Sequence, residues 1–317
     1  MRQYVIRRVL LVPPTVLLLS IFVSGMMQLV PSSVIDERLG TLQEAVTPDA
    51  REALEEHFGL NKPVHERYIQ WLGQIFQGDL GRSWLTNLPV TKEIERRMPV
   101  TLEFLVLTML LYIPAGIGIG VISAVRRNRP EDYGLRFFTI FMLAVPNFWL
   151  FTLAIILPLL WWGYSPAVPY SELWDNPLRN LEQMIVPASI TAIASAALLA
   201  RVTRSEMLEV LRQDYVVTAQ AKGLQGRTVV LRHALRNAML PVITVIGLTI
   251  AGALAGSVIA EQIYNLPGVG IYLVRSLTNN DLPVVQSWML LFGTAFILLN
   301  LVIDLSYSWL DPRIRFT

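Results

Sequence analysis

The sequence predicts an all-α integral membrane protein with six transmembrane helices, and three observations carry that prediction. Of its 317 residues, 53% are hydrophobic and only 16% charged, against about 25% charged in a soluble domain. The mean hydropathy is +0.49, and the apolar residues gather into runs near the twenty or so needed to cross a bilayer as a helix. Basic residues are concentrated in alternate connections between those runs, as the positive-inside rule requires. The net charge of +2 gives no pull toward nucleic acid, and the absence of cysteine removes disulfides, thiolate metal sites and thiol nucleophiles.

The first span is read as Val9 to Val30, behind Arg2, Arg7 and Arg8. Its 22 uncharged residues exceed the roughly 7–15 of a signal-peptide core, so it reads as a retained helix. Pro13 and Pro14 fall in its first turns, where proline is cheapest. Residues 31–99 form the one long polar segment, with eleven acidic and eight basic residues. Thr47-Pro48 and Gly59 mark the start and stop of one helix there. Val64, Tyr68, Trp71, Leu72, Ile75 and Phe76 recur with helical period after Pro63, which predicts a second helix with one buried face. Trp71 and Phe76 are expected to be largely buried. Gly78-Asp79-Leu80-Gly81 reads as a turn.

Val100 to Val125 is the second span. Gly116, Gly118 and Gly120 permit close helix packing, the first and last at Gly-x-x-x-Gly spacing. Phe137 to Leu160 is the third, with Pro146 and Pro158 inside it. Trp161, Trp162, Tyr164, Tyr170 and Trp174 follow and suit an interfacial belt or, more sharply, an aromatic platform for a substrate. The fourth span, Gln183 to Ala200, repeats alanine every four residues from Ala188 to Ala200, and its helix can continue out of the membrane as far as Arg212. The fifth is Ala238 to Ala260, with Gly252 and Gly256 again four apart. The sixth is Gln286 to Tyr307, with Asp304 near one end, where a pairing with Arg313 or Arg315 is expected.

Orientation follows from the connections. One side holds Arg2, Arg7 and Arg8, four arginines from Arg126 to Arg136, seven basic residues from Arg201 to Arg236, and Arg313 with Arg315. The short connections of the other side hold only Arg179 and Arg275. Both termini and residues 201–237 are therefore expected in the cytoplasm, and residues 31–99 outside. The chain reads as a tail and first span over 1–30, an extracytoplasmic loop over 31–99, and a core membrane domain over 100–317.

Within 201–237, Asp214 reads as a helix N-cap and Gly223 as the helix stop, with Lys222 at the negative end of the dipole. Ala219 and Ala221 are small enough for close approach, and a further helix is expected after Gly226. A short capped helix at a membrane surface has the form of a docking element; an ordinary cytoplasmic loop is the alternative.

Thr218-Ala-Gln-Ala-Lys-Gly-Leu224, followed by His233-Ala-Leu-Arg-Asn-Ala-Met-Leu-Pro241, resembles the cytoplasmic signature of permease subunits of binding-protein-dependent ABC importers, in the form written for the dipeptide/oligopeptide/nickel branch. The chain departs from the more general Glu-Ala-Ala form of that signature, having Val217 and Thr218 at its first two positions and Arg236 where that form has Pro. The likeness extends to Gly59–Pro63, Tyr68, Gly78–Ser83 and the Pro267-Gly268-Val269-Gly270 turn, whereas Pro31-Ser32-Ser33 stands in place of a usual Pro-Gly-Asp-Pro.

The resemblance implies the type I importer permease fold and an inner-membrane subunit paired with a second related permease, two ATP-binding subunits and an extracytoplasmic solute-binding protein. It implies that Tyr215 to Leu224 is a coupling helix seated on one ATPase, supported by Arg232, His233, Arg236 and Asn237. It also implies a cargo of peptides or similar small solutes, with no cofactor. No Gly-x-x-x-x-Gly-Lys-Ser/Thr loop is present to cradle ATP, so hydrolysis would fall to partner chains. The two rival readings are a secondary transporter driven by an ion gradient, which would usually show an internal repeat and midplane charges, and a membrane scaffold that transports nothing.

Overall fold

The computed structural model describes residues 2–27, 62–165 and 169–310. The chain divides into two compact units, Met1–Arg96 with Tyr272–Leu301, and Arg97–Ile271 with Val302–Thr317. In chain order the helices are α1 (Arg2–Met27), α2 (Val64–Phe76), α3 (Val90–Val125), α4 (Pro130–Ala144), α5 (Asn147–Trp162), α6 (Pro177–Val210), α7 (Asp214–Ala221), α8 (Leu235–Tyr264), α9 (Val269–Thr278) and α10 (Leu282–Leu310). A short turn, Gly226–Thr228, and a π-helical stretch, Val229–Ala234, lead into α8. The only bridge among the described residues is the isolated Arg82–Pro89 pair. Among the described residues five helices are long and apolar enough to span a membrane, and α4 with α5 makes a sixth span if the bent pair is counted as one.

That pair corrects the expectation of a continuous third span, since α4 and α5 meet at 96°. The cause is local. A residue before proline is pushed out of the α region, and Val145, preceding Pro146, is extended at ψ 126°. The other spans also start earlier than expected, and in two of them this places prolines inside the helix. Because α1 begins at Arg2, Pro13 and Pro14 lie inside it, where each leaves the carbonyl four residues back without its usual donor. Because α3 begins at Val90, Pro99 is interior to that helix and not its boundary. Burial of Val90 and Ile94 holds those early turns in place.

In the first unit, Tyr68 of α2 shares a 2.9 Å hydrogen bond with Ser20 of α1. Trp71 is partly buried, but Phe76 is 83% exposed, contrary to expectation. No residue of α2 is fully buried, so the expected buried face is only partly covered among the described residues. The helix expected after Thr47-Pro48 lies outside the described residues.

The Gly78–Ser83 turn is built from left-handed Gly78 (φ +78°) and Gly81 (φ +82°), with Asp79 Oδ1 accepting from Gly81 N–H at 2.9 Å. It grips the start of α10. Buried Asp281 accepts from Ser83 Oγ at 2.5 Å and Trp84 N–H at 2.8 Å, while Ser287 Oγ donates to Leu80 O at 2.7 Å.

The second unit is organised by α6. Its Ala188, Ala192, Ala196 and Ala200 are all buried, as their four-residue repeat predicts. A Cβ at Gly116 of α3 would meet Leu199, and one at Gly120 would come within 2.5 Å of Thr203 and 2.7 Å of the Ala200 carbonyl. Gly252 and Gly256 of α8 differ, since nothing lies within 4 Å of either added Cβ. Gly120→Val should therefore lower stability by about 1–3 kcal/mol through overpacking. Gly252→Val should leave it within about 0.5 kcal/mol, as surface changes do. Thermal unfolding of the purified chain in detergent checks the contrast.

Past α8, the Pro267–Gly270 turn wraps a buried carboxylate. Glu261 accepts from Thr101 Oγ at 2.7 Å and Ile271 N–H at 2.9 Å, and it fills the space that a side chain at Gly268 or Gly270 would need. In the aromatic connection Trp161, Trp162 and Trp174 are exposed, whereas Tyr170 turns inward. Its hydroxyl donates to Glu103 at 3.1 Å and accepts from Asn180 at 3.0 Å. Burial, with Glu103 beside it, holds the Tyr170 phenol well above its usual range, so it remains a donor. The expected pairing of Asp304 with Arg313 or Arg315 lies outside the described residues.

Candidate docking site

The last turn of α6 tightens, Arg212 N–H bonding Glu209 O and Gln213 N–H bonding Val210 O. The chain then leaves the helix through Gln213, which is extended at φ −72°, ψ 144°. Gln213 is thus the N-cap of α7, and the expectation for Asp214 is corrected. Asp214 is already helical as the first residue of α7, its side chain caps nothing, and its carbonyl accepts from Thr218 Oγ at 2.8 Å. Its carboxylate still stands in the first turn, where the helix dipole favours negative charge.

The other end closes as a Schellman motif. Gly223 is left-handed at φ +80°. Its N–H bonds Gln220 O at 2.9 Å, and Leu224 N–H reaches back to Ala219 O at 3.4 Å. Lys222 is the C-cap. Orphan carbonyls of the short helix are thereby satisfied within the segment.

The two faces of α7 differ. Val216 and Ala219, three apart, are buried with Val229 of the π-helical stretch, against Val210 and Leu211. The close approach that Ala219 permits is thus an approach to the chain itself. Tyr215 also ties α7 down, its hydroxyl accepting from Asn237 Nδ2 at 2.8 Å, while Asn237 bonds His233 O at 2.9 Å. Beneath, Ala124, Met207, Ala234 and Ala238 form one buried cluster, so α3, α6 and α8 meet under the segment. Exposed on the other face are Val217, Thr218, Ala221, Lys222, Gly223 and Leu224, with Tyr215 and Leu231 beside them. Arg232 and Arg236 are also exposed, and His233 is half-buried. The result is a braced prominence on which Tyr215, Val217, Ala221, Leu224 and Leu231 alternate with Thr218, Gln220 and Lys222, with a basic margin.

The structure brings the predicted residues together in one segment but splits them by role, Ala219 inward and Tyr215 to Asn237 as a brace. Four acidic or basic residues that sequence reading passed over are Asp132, Arg204, Glu261 and Asp281. Their signal was faint. Asp132, Glu261 and Asp281 are distinguished by burial, and Arg204, which is partly exposed, by its fork to Asp132.

Long apolar helices with close glycine and alanine seams define a polytopic membrane protein, and α7 is a short capped helix between two of its spans. The chain belongs to the family described as binding-protein-dependent transport system inner membrane component, whose profile matches residues 116–316; the profile of that system's membrane component N-terminal region matches residues 1–105. It is an ABC importer permease subunit of the inner membrane.

Among similar proteins is one of Brucella abortus whose name assigns it to a peptide transport system. It is 39% identical over 316 residues, covering all of both chains. The oligopeptide transport system permease protein of Bacillus subtilis is 37% identical over 320 residues, again covering both fully. The dipeptide transport system permease protein of Escherichia coli is 34% identical over 338 residues, covering 99% of each.

Proposed function

We propose that this chain forms half of the translocation pathway for peptides or similar small solutes, handed over by an extracytoplasmic solute-binding protein. A second, related permease subunit forms the other half, and two separate ATP-binding subunits supply the energy. Both termini and α7 face the cytoplasm, on the charge asymmetry of the connections. The single observation that carries this reading is α7 itself. A change driven by ATP on another polypeptide reaches this chain only through contact, and α7 offers a capped, braced helix whose outer face exposes Tyr215, Val217 and Ala221 beside Thr218 and Gln220. Its outward residues, from Tyr215 to Leu224, meet the ATPase, while Arg232, His233, Arg236 and Asn237 support them from behind. The open Gly252–Gly256 face of α8 is of a kind that admits a close neighbour helix, as the second permease would supply. The peptide cargo rests on the names of the relatives.

The reading is tested in vesicles that contain this chain, its natural partners and the binding protein. Uptake of labelled peptide should require ATP and the binding protein, and collapse of ion gradients should leave it unchanged. Uptake that persists without ATP and stops with the gradient would overturn it.

A further inference from the structure

Asp132 sits in the first turn of α4 and is fully buried. Each of its oxygens has two donors. Oδ1 accepts from Ser123 Oγ at 2.5 Å and Arg204 Nε at 2.9 Å, and Oδ2 accepts from Asn128 N–H at 3.0 Å and Arg204 Nη2 at 2.9 Å. A bidentate guanidinium–carboxylate fork fixes orientation as well as distance. Here it joins the end of α3, the start of α4 and the shaft of α6. Arg204 lies ten residues before Asp214 on the helix that leads to α7. Met207, one turn further on, is packed in the cluster under the docking segment. The other ion pair near the start of α4, Arg126–Glu131 at 2.8 Å, is exposed at both ends, so it holds the helix weakly.

We propose that Asp132 and Arg204 are a positioning pair that makes α4, and through the 96° bend α5, move with the docking segment. A displacement of α7 reaches α6 through their shared apolar cluster. From α6 the part-buried fork is the directional link to α4, added to the packing of the two helices on each other. Without it α4 can lag, and motion imposed at α7 is lost before it reaches the bent pair. The inference rests on the reading of α7 as the ATPase contact.

The test uses the complete importer in vesicles, measuring ATPase co-purification, binding-protein-stimulated hydrolysis and peptide uptake. Asp132→Asn and Arg204→Gln should keep the ATPase bound yet lower uptake per ATP hydrolysed by about five- to tenfold, the low end of the usual coupling between sites. The double variant should be no worse than either single one. Arg204→Lys, which keeps the charge and loses the fork, should fall in between.

An unchanged uptake-to-hydrolysis ratio would overturn the proposal. So would loss of assembly extending even to Arg204→Lys, because the pair would then be a folding element only. Val217→Arg, run alongside, separates the two readings. If it loses the ATPase while the pair variants couple normally, only this inference fails. If it assembles and transports like the parent, the docking reading fails and takes this inference with it.

Discussion

Val217→Arg should strip the ATPase from the assembled importer and abolish uptake, while the chain itself still folds and inserts. Val217 is 53% exposed on the outer face of α7, so the substitution meets no neighbour within the chain. Once the ATPase closes over that face, the guanidinium is left in a dry contact without a partner. Such a charge costs about 2–4 kcal/mol at the centre of an interface, which weakens binding roughly 30- to 700-fold. Ala219→Asp should fail differently. Ala219 is 8% exposed and faces Val216 and Val229, so a carboxylate there disrupts the segment from within. Co-purification of the ATPase, set beside thermal stability of the variant chain, distinguishes the two.

Asp281→Ala should be the most damaging single change in the first unit. Removing the carboxylate leaves Trp84 N–H and Ser83 Oγ without their acceptor where the turn after α2 meets α10. Unsatisfied buried donors cost about 1–3 kcal/mol each, so a loss of about 2–5 kcal/mol is expected. Asp281→Asn retains one carbonyl acceptor and should lose less. The readout is the thermal unfolding midpoint in detergent together with the abundance of the chain in the membrane; a midpoint equal to that of the parent for Asp281→Ala would show that the grip on α10 is dispensable.

Much of this architecture was legible because membrane spans are written in composition. The alanine repeat of α6 and the Gly116–Gly120 pair of α3 foretold a close seam in the second unit, since only small residues let two backbones approach that far. The stop at Gly223 was legible too, because a left-handed C′ position selects glycine. The 96° bend was hidden because a proline inside an apolar run is read equally as a mild kink or a break. The N-cap moved by one residue to Gln213 because cap identity depends on where the tightened end of α6 releases the chain, and side-chain preference at Asp214 came second.

Phe76 was misplaced because periodicity identifies an apolar face without saying how far the covering surface extends. Around α7, the segment was legible and its facing was not. Ala219 and Ala221 are alike in sequence, and only the position of Val229 decides that the first is buried and the second exposed.

The central claim, that the outer face of α7 is the surface an ATPase grips, is tested most directly by cross-linking from single cysteines. The chain has no cysteine of its own, so each variant carries one defined thiol. In the assembled importer, a short photoactivatable reagent on Val217→Cys, Ala221→Cys or Leu224→Cys should capture the ATPase subunit, and the same reagent offered to Val216→Cys or Ala219→Cys should not. Capture from the Arg126–Arg136 connection with none from positions 217, 221 and 224 would place the contact elsewhere and contradict the account.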